Sequence, residues 1–148
     1  MRTIPLLTGA LLCLGATPAV SQDAADALPR TEAPAAAEVY IQSPADGAEL
    51  SSPVLIRFGL RGMGVAPAGI TAADTGHHHL LIDVDELPPD NLPLPSTDQI
   101  RHFGGGQTET EVELPPGPHT LQLVLGDALH IPHQPPVRSP KITITVVE

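Results

Sequence analysis

Apolar and polar residues alternate with a period of two in several short segments of this chain. In residues 108–114, glutamates separate Thr110, Val112 and Leu114. Because successive side chains of a strand point to opposite faces, this pattern predicts a strand with one buried face. Further runs of this kind occupy residues 54–58, 77–84, 119–125 and 142–146. The predicted core positions are Ile56, Phe58, Leu80, Ile82, Leu121, Leu123, Ile142 and Ile144.

Proline and glycine separate these runs, with 18 prolines and 13 glycines in 148 residues. They leave no room for a helix longer than a turn or two. At least six short strands at this spacing predict an all-β fold, a small immunoglobulin-like antiparallel β-sandwich. Residues 62–76 and 86–107 interrupt the rhythm of strands and are predicted to be long loops. Long loops in a compact domain often carry function.

The N-terminus has the pattern of a secretory signal peptide. Arg2 precedes an apolar run at 4–20, and Ala19 and Ser21 are small residues at the expected cleavage site. We therefore predict a signal peptide at 1–21, a disordered linker rich in alanine and proline at 22–37, and a single β-sandwich domain at 38–148. The processed chain is expected to be periplasmic or secreted. It contains no second apolar run that would insert into a membrane.

Charge and cysteine content narrow the function further. The formal net charge is −10, and an acidic chain without a basic patch is a poor match for nucleic acid or anionic lipid. Cys13, the only cysteine, lies in the predicted signal peptide. The processed domain is therefore expected to have neither a disulfide nor a thiolate metal ligand. No feature of the sequence indicates a particular protein partner.

Motifs typical of enzymes are missing from the sequence. No serine lies in a nucleophile-elbow pattern. The glycine run at 104–106 follows no strand-to-helix signal and precedes no lysine, so it does not match a phosphate-binding loop. The acidic residues between 83 and 90 lack the spacing of a calcium-binding loop. These observations predict that the chain is not an enzyme.

All seven histidines of the chain lie after position 76. His77 and His79 lie on the same side of a predicted strand, so both could bind one ion. His130 and His133 could meet across a short turn, and Met63 offers a thioether between two glycines. Imidazole and thioether are ligands for copper, and imidazole also suits zinc. The candidate metal ligands are His77, His79, His102, His119, His130, His133 and Met63.

Two functions fit these histidines. The first is a periplasmic domain that binds a metal ion, with copper first and zinc second. The second is a structural or protein-interaction module of immunoglobulin type without a metal. In the second case, His78 and His119 share the side of the core leucines and would be buried with backbone partners, while the other histidines would face solvent. Convergence of several histidines at one point would favour the metal.

Four blocks of sequence carry a resemblance to a known family. They are Gly62–Gly69, Thr75–Asp83, His102–Glu109 and His119–Asp127, followed by His130 and His133. Together they resemble the bacterial secreted family called domain of unknown function 4399 (DUF4399), over about residues 43–147. The resemblance implies a periplasmic or extracellular domain but no activity or ligand. Residues 43–48 are also similar to the first strand and turn of periplasmic copper-resistance sandwiches of immunoglobulin type.

Overall fold

The computed structural model describes residues 28–148. Within this part the chain forms nine strands and no helix, which confirms the all-β prediction. None of the described residues belongs to an apolar helix that could span a membrane. The predicted signal peptide, Cys13 and linker residues 22–27 lie outside the described part. The strands are β1 (Glu38–Ser43), β2 (Glu49–Ser51), β3 (Val54–Arg61), β4 (Gly64–Val65), β5 (Thr75–Ile82), β6 (Ile100–His102), β7 (Glu109–Val112), β8 (Gly117–Gly126) and β9 (Ile142–Val147).

The strands form two sheets. The smaller sheet has the order β1-β3-β7, and the larger has the order β2-β9-β8-β5-β4, with β6 also paired to β5. The pairs of strands are antiparallel except for β2 with β9 and β4 with β5, which are parallel. Each predicted long loop contains one short strand, β4 in the first and β6 in the second. The immunoglobulin-like sandwich type stays a prediction.

The main core cluster contains side chains from both sheets. Ile56 and Phe58 come from β3, and Leu80 and Leu123 come from β5 and β8. Of the eight core positions predicted from alternation, seven are buried, and Ile142 is half-buried against the same cluster. Burying a leucine, isoleucine or phenylalanine side chain stabilises a fold by about 1.5–3 kcal/mol. Alternation therefore identified the residues that hold the sheets together.

Strand β5 is also covered on its other face. Leu81, Ile100 and Val124 form a second, smaller cluster there with Leu94, which comes from the segment between β5 and β6. Every residue from Gly76 to Ile82 is consequently buried. Side chains on this second face, including His77 and His79, are thus shielded by loops rather than by the other sheet.

The N-terminal segment of the described part is hydrogen-bonded to the loop after β8. The amide of Gln134 donates to the carbonyl of Thr31, and the amide of Ala33 donates to the carbonyl of Gln134, each over 2.9 Å. Nε of Arg30 donates to the carbonyl of Pro132 over 3.0 Å. The disordered linker at 22–37 stays a prediction. The contacts combine backbone pairs with the side chains of Arg30 and Thr31.

Candidate metal centre

The register of the larger sheet brings histidines from different strands together. His77 and His79 point to the same face of β5 because they are two residues apart. His79 is the direct partner of His102 in the antiparallel β5–β6 pair. On the other side of β5, His77 is paired with Gly126, the last residue of β8. The loop that follows Gly126 carries His130.

His77, His79, His102 and His130 form one group, called here the four-histidine cluster. Their ring centroids are separated by 4.6 Å at the closest, between His102 and His130, and by 6.0 Å at most, between His79 and His130. One ring nitrogen each from His77, His79 and His102 lies within 4.8 Å of the others. These nitrogens are close enough to share a single ion after small adjustments.

Five ring nitrogens of the cluster are buried without a hydrogen-bond partner within the described part of the chain. His77 and His79 are 1% and 0% exposed, and neither ring nitrogen of either residue has a hydrogen-bond partner there. Nε2 of His102 is also buried without a partner. Leaving a buried polar atom unpaired costs about 1–3 kcal/mol. Such a concentration of unpaired nitrogens calls for an explanation, and a bound ion supplies one.

Burial keeps three imidazoles of the cluster, those of His77, His79 and His102, neutral. It lowers the pKa of His77 to about 4 and the pKa of His79 to about 3, with smaller contributions from the neighbouring histidines. Burial and then the proximity of His130 also lower the pKa of His102. A histidine must be neutral to bind a metal through a lone pair. At neutral pH, these three side chains are already in the protonation state that a metal requires.

Two glycines make room for the imidazole rings. A Cβ atom on Gly126 would lie 2.7 Å from Cε1 of His79, and a Cβ on Gly104 would lie 2.2 Å from Cε1 of His102. Both distances are too short for any larger residue unless the ring moves. Sequence reasoning did not assign these glycines to the site. The signals were a glycine that ends a strand opposite a histidine and a glycine run that starts two residues after His102.

Asp127 organises the loop that carries His130. Its Oδ1 accepts hydrogen bonds from the amides of Leu129 and Ile131, over 2.9 and 3.0 Å, on either side of the histidine. Its Oδ2 accepts a hydrogen bond from the hydroxyl of Thr31 over 2.8 Å. His130 itself has φ of +68°, an uncommon conformation for a residue with a side chain. Asp127 was not among the predicted site residues.

Residues 66–69 form an arch between the loops of His102 and His130. The amide of Ala68 donates to the carbonyl of Gly104 over 2.9 Å, and the amide of Gly69 donates to the carbonyl of Ala128 over 3.0 Å. At the start of the arch, the amide of Ala66 donates to the carbonyl of Gly76 over 2.8 Å. The predicted loop at 62–76 is therefore attached to both loops that complete the four-histidine cluster.

Three of the predicted ligands lie elsewhere. Nδ1 of His119 is 2.7 Å from Oδ2 of Asp83, and its Nε2 is 2.8 Å from the carbonyl of Pro115. The ring nitrogens of His133 lie 3.4 and 3.2 Å from the carbonyls of Leu125 and Thr75. Met63 packs against the main core cluster, on the opposite face of β5 from His77 and His79. The structure thus brings together four of the seven predicted ligands.

His78 and His119 are both buried, but in different surroundings. His78 lies in the main core with its ring centroid 5.2 Å from that of Phe58, and burial lowers its pKa to about 4. Burial alone would lower the pKa of His119. The hydrogen bonds to Asp83 and to the carbonyl of Pro115, together with the charge of Asp83, outweigh burial and raise it. His119 therefore has a structural role within the fold.

The chain was also compared with known proteins. The family model described as "Domain of unknown function (DUF4399)" matches residues 56–147. No curated protein and no solved structure matches the chain. The matched range contains all four members of the four-histidine cluster, together with Gly104, Gly126 and Asp127.

Proposed function

The chain belongs to the DUF4399 family, whose function is unknown, and we propose that it binds a transition-metal ion through its histidine cluster. The observation that carries this proposal is the convergence of His77, His79 and His102, with one nitrogen of each within 4.8 Å of the others. The ligands offered are neutral imidazoles, and imidazole suits copper and zinc. Magnesium and calcium prefer oxygen ligands and do not fit this set.

Copper is the first candidate and zinc the second. Sites with nitrogen ligands generally bind copper(II) more tightly than zinc(II), following the Irving–Williams order. No thiolate is present among the residues after Cys13 to change that preference. Met63 is not part of the proposed site because it packs in the main core.

The proposed setting is the periplasm or the extracellular space, and the proposed role is binding without catalysis. The N-terminal pattern of Arg2, an apolar run and small residues at Ala19 and Ser21 supports export. The lack of nucleophile-elbow and phosphate-loop patterns supports a role other than catalysis. Mass spectrometry of the protein recovered from the periplasm tests export. A mature N-terminus near Gln22 is expected, whereas an intact Met1 would contradict it.

Isothermal titration of the metal-free, tag-free chain from Gln22 with Cu(II) and with Zn(II) tests the binding. We expect saturable binding of one ion, tighter for copper, and loss of binding in the double variant His77→Ala, His79→Ala. His119→Gln is the matched control, because His119 is a buried histidine outside the cluster, and it should bind as the unmodified protein does. No saturable binding at micromolar metal, or equal binding by the double variant, would make the proposal wrong.

The alternative is a structural or protein-interaction module without a metal. It is favoured by His119 and His133, whose ring nitrogens contact protein groups. It does not account for His77 and His79, whose buried ring nitrogens have no partner in the described part of the chain. Metal binding accounts for His77 and His79 and leaves His119 and His133 in their structural roles. It does not involve His78, whose ring nitrogens in the main core are also unpaired in the described part of the chain.

A further inference from the structure

The spacing of the four rings carries information about coordination geometry. A zinc or copper ion lies about 2.0–2.1 Å from an imidazole nitrogen, so that the ring centroid lies about 3.2 Å from the ion. Four rings at the corners of a tetrahedron would then have all centroids about 5.2 Å apart. In a square plane, neighbouring centroids would be about 4.5 Å apart, and both opposite pairs would be about 6.4 Å apart.

The observed separations of the ring centroids are closer to those of a tetrahedron than to those of a square plane. In a square plane, the two pairs of opposite rings are both far apart, and each ring belongs to only one of these pairs. His79 and His130 are 6.0 Å apart, but the remaining pair, His77 and His102, is separated by only 5.0 Å. The six centroid separations are 4.8 Å (77–79), 5.0 Å (77–102), 5.0 Å (77–130), 5.2 Å (79–102), 6.0 Å (79–130) and 4.6 Å (102–130).

We propose that His130 is the fourth ligand and that it closes the site into a tetrahedral, four-imidazole centre. This inference rests on the proposed function and adds to it the coordination number and the class of ion. Ions that accept a tetrahedron, such as Zn(II), Co(II) and Cu(I), fit this arrangement of rings after small adjustments that bring the nitrogens closer together. Cu(II) prefers a square plane, so the geometry narrows the advantage that the Irving–Williams order gives copper over zinc. A closed set of four ligands is typical of sites that hold a metal rather than use it in catalysis.

The surroundings of His130 support its role as the fourth ligand. Its carbonyl accepts a hydrogen bond from the amide of Leu94 over 2.8 Å, and the Asp127 carboxylate binds the amides on both sides of it. The backbone therefore holds the ring beside the other three. Asp127 is the nearest acidic alternative in the sequence, but both of its oxygens already accept hydrogen bonds. It is therefore a positioning residue and not a competing ligand.

Cobalt(II) provides a direct test, because a tetrahedral Co(II) complex absorbs visible light far more strongly than a five- or six-coordinate one. We expect the metal-free, unmodified protein to give the intense spectrum on addition of Co(II). His130→Ala should still bind Co(II) through three histidines, with a visible absorption several times weaker because water enters the site. Its Zn(II) affinity should fall by at least about tenfold, since even an outer-shell partner contributes about 10–100-fold.

The control is His133→Gln, which changes a histidine of the same loop outside the cluster and should keep the spectrum. If His130→Ala does not fold, as judged by circular dichroism, His130→Asn replaces it, because asparagine tolerates positive φ. A weak Co(II) spectrum in the unmodified protein, or the same spectrum and Zn(II) affinity in the His130 variant, would overturn this inference and leave the proposed function intact. Absence of any metal binding by the unmodified protein would overturn both.

Discussion

At the scale of single residues, the surroundings of each imidazole decide what it can do. His119 has a carboxylate and a carbonyl within hydrogen-bonding distance, so it serves the fold. His78 packs beside Phe58 in the main core. His77 and His79 share the burial of His78 but have other histidines beside them. The same residue type therefore lies in three different surroundings within one strand and its neighbour.

Replacement of Gly126 by alanine should damage the metal site more than the fold. The new Cβ would lie 2.7 Å from Cε1 of His79 and push the ring away from its neighbours. We expect metal affinity to fall by about tenfold or more, with a loss of about 1–3 kcal/mol in stability from the added atom. Isothermal titration and urea denaturation measure the two effects.

Gly64→Ala is the matched control for this change. A Cβ at Gly64 would meet its nearest atom, Cγ2 of Thr75, at 3.6 Å, which is an ordinary contact. This variant should retain both affinity and stability. If Gly126→Ala bound metal as tightly as Gly64→Ala, the assigned position of the His79 ring would be wrong.

The metal-free domain should lose stability as the pH falls below about 6.5. Burial lowers the pKa of His77 to about 4, that of His78 to about 4 and that of His79 to about 3, from an ordinary value of 6.5. Between those values and 6.5, the unfolded chain binds protons that the folded chain does not, so the free energy of unfolding decreases with falling pH. His119, with its raised pKa, works in the opposite direction.

Urea denaturation in the presence of EDTA at pH 7.5 and pH 5.0 measures this dependence. The double variant His77→Gln, His79→Gln should lose less stability between the two pH values than the unmodified protein, because two of the three imidazoles whose pKa is lowered to about 3 or 4 are gone. Equal stability of the unmodified protein at both pH values would contradict the assigned burial of these side chains.

At the scale of strands and loops, the sequence predicted the strands well and the loops poorly. Alternation placed Leu80 and Leu123 in the core and put His77 and His79 together on the other face, because the period of a strand fixes both. Alternation could not tell whether His130 or His133 joins the cluster, because the prediction placed both at one short turn. The positive φ of His130 and the hydrogen bonds of Asp127 to the flanking amides place the His130 ring in the cluster. Those contacts depend on tertiary structure.

Removal of the Asp127 side chain should disorganise the site through the loop. Asp127→Ala removes the acceptors for the amides of Leu129 and Ile131 and for the Thr31 hydroxyl. Hydrogen bonds to charged groups contribute about 1.5–3 kcal/mol each, so a marked loss of stability is expected. The Co(II) spectrum should also weaken toward that of His130→Ala, since the fourth ligand is no longer held in place.

Glu111→Ala is the control for loss of a carboxylate, because Glu111 is exposed on β7, in the other sheet. It should leave both stability and spectrum unchanged. Asp127→Asn should fall between Asp127→Ala and the unmodified protein, because the amide oxygen can still accept from the backbone. An unchanged Co(II) spectrum in a folded Asp127→Ala protein would show that the loop does not depend on this residue.

At the scale of the whole molecule, a bound ion would join parts of the chain that are far apart in sequence. His77 and His79 belong to β5, His102 ends β6 and His130 lies in the loop after β8. The same loop is bonded to the N-terminal segment through Thr31 and Asp127. A single ion would therefore connect the larger sheet, two loops and, through them, the N-terminal segment.

Metal binding should consequently raise the melting temperature of the complete domain. An ion that binds only the folded state contributes about 2.7 kcal/mol at a free concentration 100 times Kd. Calorimetry of the processed chain with and without Zn(II) measures the shift, and one cooperative transition is expected in both cases. The double variant His77→Ala, His79→Ala should show no shift. A metal-dependent shift of the same size in that variant would place the bound ion elsewhere.

The arch at residues 66–69 has a consequence for how fast an ion exchanges. Its amides at Ala68 and Gly69 fasten the loop of His102 to the loop of His130 through Gly104 and Ala128. If an ion held between those loops leaves through a gap between them, the two hydrogen bonds must break and the loops must separate first. Release of the ion would then be limited by this opening step. The rate of release would level off as a competing chelator is added in excess. In that case the retention time of the ion would be set by the backbone of a loop that contains no ligand.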